Sequence, residues 1–243
     1  MELPMSTAVD MCSQTLRGDI LEGTYQPGER LPAERKLADA MGVNRVTIRS
    51  ALSQLAAAKL VRVRQGSGYE VQDYRRVGGL DLIEDVMTKA HRVGRFTEIA
   101  RDLLLVRRNL ARAVLERLSQ TPLSADTLSQ ISTAIDAFEA VALANADTQT
   151  LAGRDIDIVV CLLQATGSSV LGLCLNPISE TLRHSAPLRE AIYSQPQANL
   201  AGWRALLPWL INPALAPISE LIDAFAARDE QSLMRLDALE TVV

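Results

Sequence analysis

Four side chains within six consecutive positions could bind groups on a nucleic acid: Asn44, Arg45, Thr47 and Arg49. A guanidinium group presents a fork of donors that fits two acceptors on a guanine edge or the oxygens of a phosphate. The hydroxyl and amide groups suit contacts with the sugar-phosphate backbone or with base edges. This chemistry is non-covalent, and it indicates recognition of duplex DNA rather than catalysis.

A pair of short helices is predicted to position these side chains. After a turn at Pro27-Gly28, apolar residues recur at helical spacing up to Met41, with Glu34 near the start, where the helix dipole favours an acid. Gly42 can take the positive φ that ends a helix, and Asn44 can cap a second helix that starts at Arg45. The apolar face of that second helix comprises Ile48, Ala51, Leu52 and Leu55. Its start, including Val46, is therefore predicted to face solvent.

A basic β-hairpin, or wing, is predicted directly after the second helix. Residues 60–64 alternate apolar and basic, residues 65–68 supply a turn, and residues 69–71 return. Between positions 30 and 64, eight Lys or Arg face two acidic residues, whereas the whole chain has a net charge of -4. A local basic surface on an acidic protein favours phosphate binding. We therefore add Arg64, Gln65, Gly66 and Ser67 to the candidate DNA-binding residues.

These motifs resemble the GntR family of bacterial winged-helix regulators. The family pattern of a PG turn, LP-x-E, LA, GV-x-R, (V/I)R-x-AL-x-x-L and a G-x-G wing is matched from Pro27-Gly28 to Gly66-Ser67-Gly68. The resemblance implies DNA contacts by residues on both helices and at the wing tip, namely Arg35, Asn44, Arg45, Thr47, Arg49, Gln65 and Gly66. It also implies a winged helix-turn-helix at residues 1–72, with a supporting helix at residues 9–21.

Length and composition predict a second domain. A chain of 243 residues can hold two cores, and residues 73–79 form the predicted linker. Residues 80–243 should form an all-α antiparallel bundle of six to eight helices, so the predicted fold class is mainly α. The predicted helices of this domain cover residues 80–90, 96–118, 125–145, 154–165, 170–183, 199–210, 214–227 and 230–243.

Location and redox state follow from absent signals. The first residues include early acids and no long apolar run, so neither a signal peptide nor a membrane anchor is predicted, and we expect a cytoplasmic protein. Cys12, Cys161 and Cys174 are odd in number, scattered and set among apolar residues, which favours reduced thiols.

The second domain resembles the effector domain of the FadR branch of the same family, which is an all-α bundle. Arg107 fits the place of an early helix arginine, and residues 157–167 fit the stretch D-x-x-F-H-x-x-L-x-x-A-x-G. Cys161 stands where many relatives have a metal-binding histidine, and no histidine lies beyond His184. The resemblance therefore implies a metal-free domain that binds a small-molecule effector, with a fatty acyl-CoA as the leading candidate. The candidate effector residues are Arg107, Asp157, Cys161, Arg183 and His184.

Several alternatives remain open at this point. A zinc site from Asp157, Cys161 and His184 is conceivable, although no cofactor or metal is predicted. The arginines of this domain could form surface salt bridges or hold an anionic ligand, and the effector could be a small organic acid. A third possibility is a helical sensor or interaction protein that does not bind DNA.

No enzymatic constellation is recognisable in the chain. Asp155 and Asp157 are two positions apart, which points them to different faces of a helix, and phosphate loops and nucleophile elbows are missing. We therefore predict a non-enzymatic regulator. Because a single winged helix binds DNA weakly, a homodimer on a palindromic operator is expected.

Overall fold

A computed structural model describes residues 7 to 240 as two compact units, one ending at Val93 and the other beginning at Gly94. The predicted fold class is confirmed: both units are mainly helical, and the first contains a two-stranded antiparallel sheet. Within the described range, no helix is both long and apolar enough to span a bilayer.

The first unit is built on three helices and a hairpin, in the order α1 (Ala8–Glu22), α2 (Glu34–Met41), α3 (Arg45–Ala57), β1 (Val61–Arg64) and β2 (Gly68–Val71). Thr7 and Asp10 form a capping box that starts α1, and Gly23 ends it in the left-handed conformation. The side chains of Leu16, Ile48 and Leu52 are fully buried where α1 packs on α3. The hairpin pairs Val61 with Val71 and Arg64 with Gly68, as expected for a wing.

Two further helices complete the first unit, α4 (Tyr74–Val77) and, after a 3-10 turn at Leu80–Leu82, α5 (Ile83–Arg92). Helix α5 packs on α1: Arg17 Nη1 lies 2.6 Å from Asp85 Oδ2, Lys89 Nζ donates to the Leu21 carbonyl, and Arg92 pairs with Glu22. The sequence-based division had assigned residues 80–93 to the second domain. Their contacts instead belong to the unit that contains the helix-turn-helix.

The second unit contains seven α-helices between Gly94 and Glu240, a number within the predicted range. They are α6 (Phe96–Ser119), α7 (Ala125–Leu143), α8 (Thr148–Thr166), α9 (Ser169–His184), α10 (Ala186–Tyr193), α11 (Pro196–Ile211) and α12 (Ile218–Glu240). The largest buried side chains include Ile131, Ile135, Phe138, Ile158 and Trp209. Helix α7 packs on α8, and α6 packs on α12.

The largest differences from the predicted helices are an earlier start of α8, at Thr148 instead of residue 154, one merged pair of helices and one additional helix. The predicted helices 214–227 and 230–243 are one continuous helix, α12, because neither Gly nor Pro interrupts residues 218–240; residues 241–243 lie outside the described range. Helix α10 was not predicted, although Pro187 stands in its first turn, a position that proline favours. The Glu240 carboxylate of α12 accepts hydrogen bonds from the Phe96 amide (3.0 Å) and the Thr97 hydroxyl (3.0 Å), which fixes the start of α6.

Candidate nucleic-acid interface and ligand cavity

The start of α3 presents polar side chains on a rigid cap. Asn44 Oδ1 accepts a hydrogen bond from the Thr47 amide at 2.8 Å, so the helix begins at Arg45 as predicted. Because the amide oxygen serves as the cap, the Asn44 NH2 group is what this residue can offer to a ligand. Arg45 is exposed and Val46 is 74% exposed, whereas Ile48 is fully buried and anchors the helix to the core.

Arg49 is held by an acidic residue of the preceding helix. Its Nη2 lies 2.8 Å from Glu34 Oε2 and its Nε lies 3.2 Å from Glu34 Oε1, a two-pronged pair that joins α3 to α2. These hydrogen bonds lower the pKa of the Glu34 carboxyl, and the Arg49 side chain remains 68% exposed. The sequence had indicated only a helix-dipole role for Glu34. Arg35, the neighbouring candidate on α2, is exposed.

A second acidic residue holds two arginines of the wing. Glu70 on β2 binds Arg62 Nη2 at 2.5 Å and Arg64 Nε at 2.8 Å, and these hydrogen bonds lower the pKa of its carboxyl. The turn between the strands is tight: Ser67 N donates to the Arg64 carbonyl at 2.8 Å, and Gly66 has a φ of 70°. Gln65 and Gly66 are exposed at its tip, and Ser67 is half-buried.

All ten candidate DNA-binding residues thus lie on α2, at the start of α3 or at the wing turn, and none of them is buried. The basic residues of this surface differ in their partners. Arg49 and Arg64 are already paired with carboxylates, whereas Arg45 makes no ion pair with any residue in the described range.

A cavity of about 130 Å³ lies inside the second unit, between side chains of α6, α8, α9, α10, α11 and α12. Its wall is mostly apolar and includes Val114, Leu115, Ile156, Val159, Leu162 and Leu206. A concave, mostly apolar space with polar groups at a few places is the usual form of a small-molecule site.

Charged side chains from α6 and α12 meet in this cavity. Asp229, whose side chain is only 5% exposed, binds Arg107 Nη2 at 2.7 Å and Arg108 Nη1 at 3.0 Å. Arg228 lies over the Phe225 ring, 5.0 Å from its centroid, and against Gly202, where a Cβ atom would collide with the guanidinium group. Burial, and secondly the charge of Arg107, lower the pKa of Arg228.

An acidic residue of α8 completes the polar part of the cavity. Asp155 Oδ1 accepts a hydrogen bond from Trp203 Nε1 at 2.7 Å. Burial raises the pKa of the Asp155 carboxyl, and burial together with the nearby carboxylate raises the pKa of Tyr193 well above its usual value. The cavity therefore combines three arginines and two aspartates with an apolar wall.

Comparison with known proteins identifies the first unit. Residues 9–71 match the family described as "Bacterial regulatory proteins, gntR family". The first unit contains a GntR-family helix-turn-helix domain. The HTH-type transcriptional regulator Mce2R of Mycobacterium tuberculosis is 54% identical over 65 residues, which is 27% of each chain. The family match at residues 9–71 includes the capped helix, the wing and their exposed arginines.

Similarity beyond the GntR domain is weaker. The fatty acid metabolism regulator protein of Vibrio vulnificus is 35% identical over 92 residues, 38% of this chain and 32% of the relative. The protein of the same name from Pectobacterium atrosepticum is 29% identical over 159 residues, 65% of this chain and 62% of the relative. The chain thus spans between about a quarter and three fifths of these relatives.

A solved structure shares the fold over nearly the whole chain. Its description states that Lar controls the expression of the Listeria monocytogenes agr system. The match covers 98% of this chain and 100% of that chain, with a TM-score of 0.60 and 16% sequence identity. The predicted resemblance to GntR regulators and to FadR-like relatives is confirmed. The prediction of a non-enzymatic chain agrees with relatives that are named as regulators.

Of the five candidate effector residues predicted in the second domain, only Arg107 lines the cavity. Asp157 faces solvent and pairs with Arg154 at 3.1 Å, while Asp155 faces the cavity. Cys161 lies beside Asp157, and burial raises the pKa of its thiol. Arg183 and His184 lie near Glu180 at the end of α9, at 3.9 and 3.8 Å.

The conceivable zinc site does not form from these side chains. Between residues 7 and 240, no three His, Cys, Asp or Glu side chains come together in a group that could hold a metal ion. The cysteines in that range are free thiols, with Cys12 buried and Cys161 and Cys174 half-buried. The three residues of this conceivable site therefore do not fit a metal ion.

Proposed function

We propose that this protein is a ligand-responsive transcriptional regulator of the GntR/FadR type that binds a palindromic operator as a homodimer. The observation that supports this most strongly is the exposed, capped start of α3, where Arg45 and Val46 project beside a basic wing. A helix of this kind places its first turn in the major groove, while the wing contacts the adjacent backbone. We assign DNA binding to the predicted domain of residues 1–72 together with α4 and α5, which belong to the same unit, and effector binding and dimerisation to the unit that begins at Gly94. Its site of action would be the cytoplasm.

A homodimer is proposed because a single DNA-binding domain would bind the operator weakly. One winged helix makes few phosphate contacts, and joining two such domains adds an effective-concentration gain of roughly 10²–10⁴. Two domains related by twofold symmetry read two half-sites of a palindrome. The effector would change the spacing or tilt of the two DNA-binding domains, and so change the affinity for the operator.

The effector is proposed to come from fatty acid or related metabolism. This rests on the relatives that are named fatty acid metabolism regulators and on the apolar wall of the cavity. An acyl-CoA-like molecule is the first candidate. A small organic acid is the second, because the cavity contains three arginines.

Selection of bound duplexes from fragments of the source genome tests the central proposal. The recovered duplex should contain an inverted repeat, and its affinity should fall steeply as salt rises, because binding releases counterions from the phosphates. Sedimentation of the complex should give two chains per duplex. Recovery of no preferred sequence, together with binding that is insensitive to salt, would refute DNA recognition. One chain per duplex would refute the dimer alone.

A further inference from the structure

We propose that the cavity of the second unit is an anion-binding site in which Arg228 binds the charged oxygen group of an otherwise apolar ligand. This inference rests on the proposed effector function and assigns its binding residue. Arg228 is not among the residues that the sequence singled out.

The partners of the three cavity arginines differ. Arg107 and Arg108 both bind the Asp229 carboxylate, at 2.7 and 3.0 Å. No carboxylate between residues 7 and 240 lies within ion-pair distance of the Arg228 guanidinium, although this group is largely enclosed. Asp155 and Asp229 attract this guanidinium from beyond ion-pair distance, but burial and the charge of Arg107 oppose its charged form more strongly, so the loss of hydration is compensated only in part. A ligand anion would supply the missing counter-charge.

Two contacts restrict the position of Arg228. Its guanidinium lies over the Phe225 ring, and its nitrogens lie close to Gly202. Any side chain at position 202 would have to displace this group. These contacts limit the positions of the donor fork before a ligand arrives, which lowers the entropic cost of binding.

The remaining groups of the cavity define the chemistry of the ligand. The Trp203 indole donor is already used by Asp155, and Asp229 is used by two arginines. Arg228 is thus the cavity's strongest uncommitted donor, and the other lining is mainly aliphatic. The fitting ligand has one carboxylate or phosphate group and an apolar body. Both a free fatty acid and the phosphate-bearing end of an acyl-CoA have this chemistry.

Calorimetric titration of the full chain with four probes tests the proposal: octanoate, octanol, octanoyl-CoA and coenzyme A. We expect octanoate to bind and octanol, which has the same body without the charge, to bind at least roughly tenfold more weakly, because charged hydrogen bonds exceed neutral ones. Arg228→Gln should lose roughly tenfold or more in affinity for octanoate. Arg228→Lys, which keeps the charge without the fork, should fall between the two.

Arg154→Gln is the matched control, since Arg154 is an exposed arginine of α8 paired with Asp157 outside the cavity. Thermal unfolding and circular dichroism of each variant separate a binding defect from a folding defect. In a different outcome, octanoyl-CoA and coenzyme A would bind while octanoate does not. If Arg228→Gln weakens that binding, the anion that Arg228 binds is the phosphate.

Three results would overturn the proposal: equal binding of octanol and octanoate, unchanged affinity of a folded Arg228→Gln variant, or no binding of any probe. The two proposals fail separately. Loss of the cavity site leaves duplex binding by the ligand-free protein intact, whereas failure of duplex binding leaves the titration with octanoate unaffected.

Discussion

Replacement of Arg45 by alanine is the sharpest test of how α3 binds DNA. The Arg45 side chain is exposed and makes no hydrogen bond or ion pair with another residue between 7 and 240, so its loss should change the free energy of unfolding by less than about 0.5 kcal/mol. If the guanidinium contacts a guanine edge or a phosphate, its loss should cost about 1–3 kcal/mol of operator binding, roughly a five- to 150-fold rise in Kd.

Arg49→Ala provides a graded comparison. Arg49 is paired with Glu34 on the protein surface, and such a pair is worth about 0–1 kcal/mol. Arg49 must weaken this pair to bind DNA, so its net contribution to operator affinity should be smaller than that of Arg45 by up to about 1 kcal/mol. The variant should also unfold at a slightly lower temperature, unlike Arg45→Ala.

Fluorescence anisotropy with the selected duplex, repeated at several salt concentrations, measures both effects. A variant that loses a phosphate contact should show a salt slope reduced by about one, whereas loss of a base contact should weaken the preferred sequence selectively. Arg92→Ala is the control, because it removes an exposed, ion-paired arginine of the same unit from α5. Wild-type affinity in Arg45→Ala, or an equal loss in Arg92→Ala, would refute the assigned role of α3.

Three further outcomes are expected. Glu70→Gln removes the carboxylate that binds both wing arginines. Non-specific duplex binding should therefore tighten by roughly fivefold and depend more steeply on salt. Equal or weaker binding in the anisotropy assay would contradict this. Val46→Ser should reduce the preference for thymine at one position of each half-site by about fourfold, the value of one buried methyl group, and an unchanged selected sequence would exclude that contact. Burial raises the pKa of Asp155 in the folded protein. The folded protein therefore loses stability as the pH rises above the unfolded pKa near 3.8, and the loss is complete above the folded pKa. The thermal stability of Asp155→Asn relative to wild type should increase as the pH rises from about 4 to 7, whereas that of Asp157→Asn, on the exposed face, should not.

The helix-turn-helix was predictable because its signals are local. Gly42 and Asn44 mark the end of one helix and the cap of the next within three positions, and the apolar spacing of Ile48 and Leu52 sets the buried face. The two acid-arginine pairs were not predicted. Glu34 and Arg49 are fifteen residues apart, and Glu70 meets Arg62 only through the strand register.

The cavity was not predictable from motifs, since its polar groups come from helices far apart in the chain. A periodicity signal for two of them was nevertheless present. Asp155 lies four positions after Leu151 and three before Ile158, on the buried face of α8, and Asp229 lies four positions before the buried Leu233. The family-like stretch begins at Asp157, so the sequence favoured Asp157 as the ligand-binding residue instead. Arg228 has no such signal, because its position depends on contacts with Phe225 and Gly202.

The packing of α5 on α1 determines where a fragment that contains the DNA-binding domain should end. A fragment ending at residue 72 would lose Asp85, Lys89 and Arg92, and with them three polar anchors along α1. The uncovered surface would then face water and favour aggregation. Protein produced for crystallisation with operator duplex should therefore extend to Val93, and limited proteolysis should preserve this longer piece.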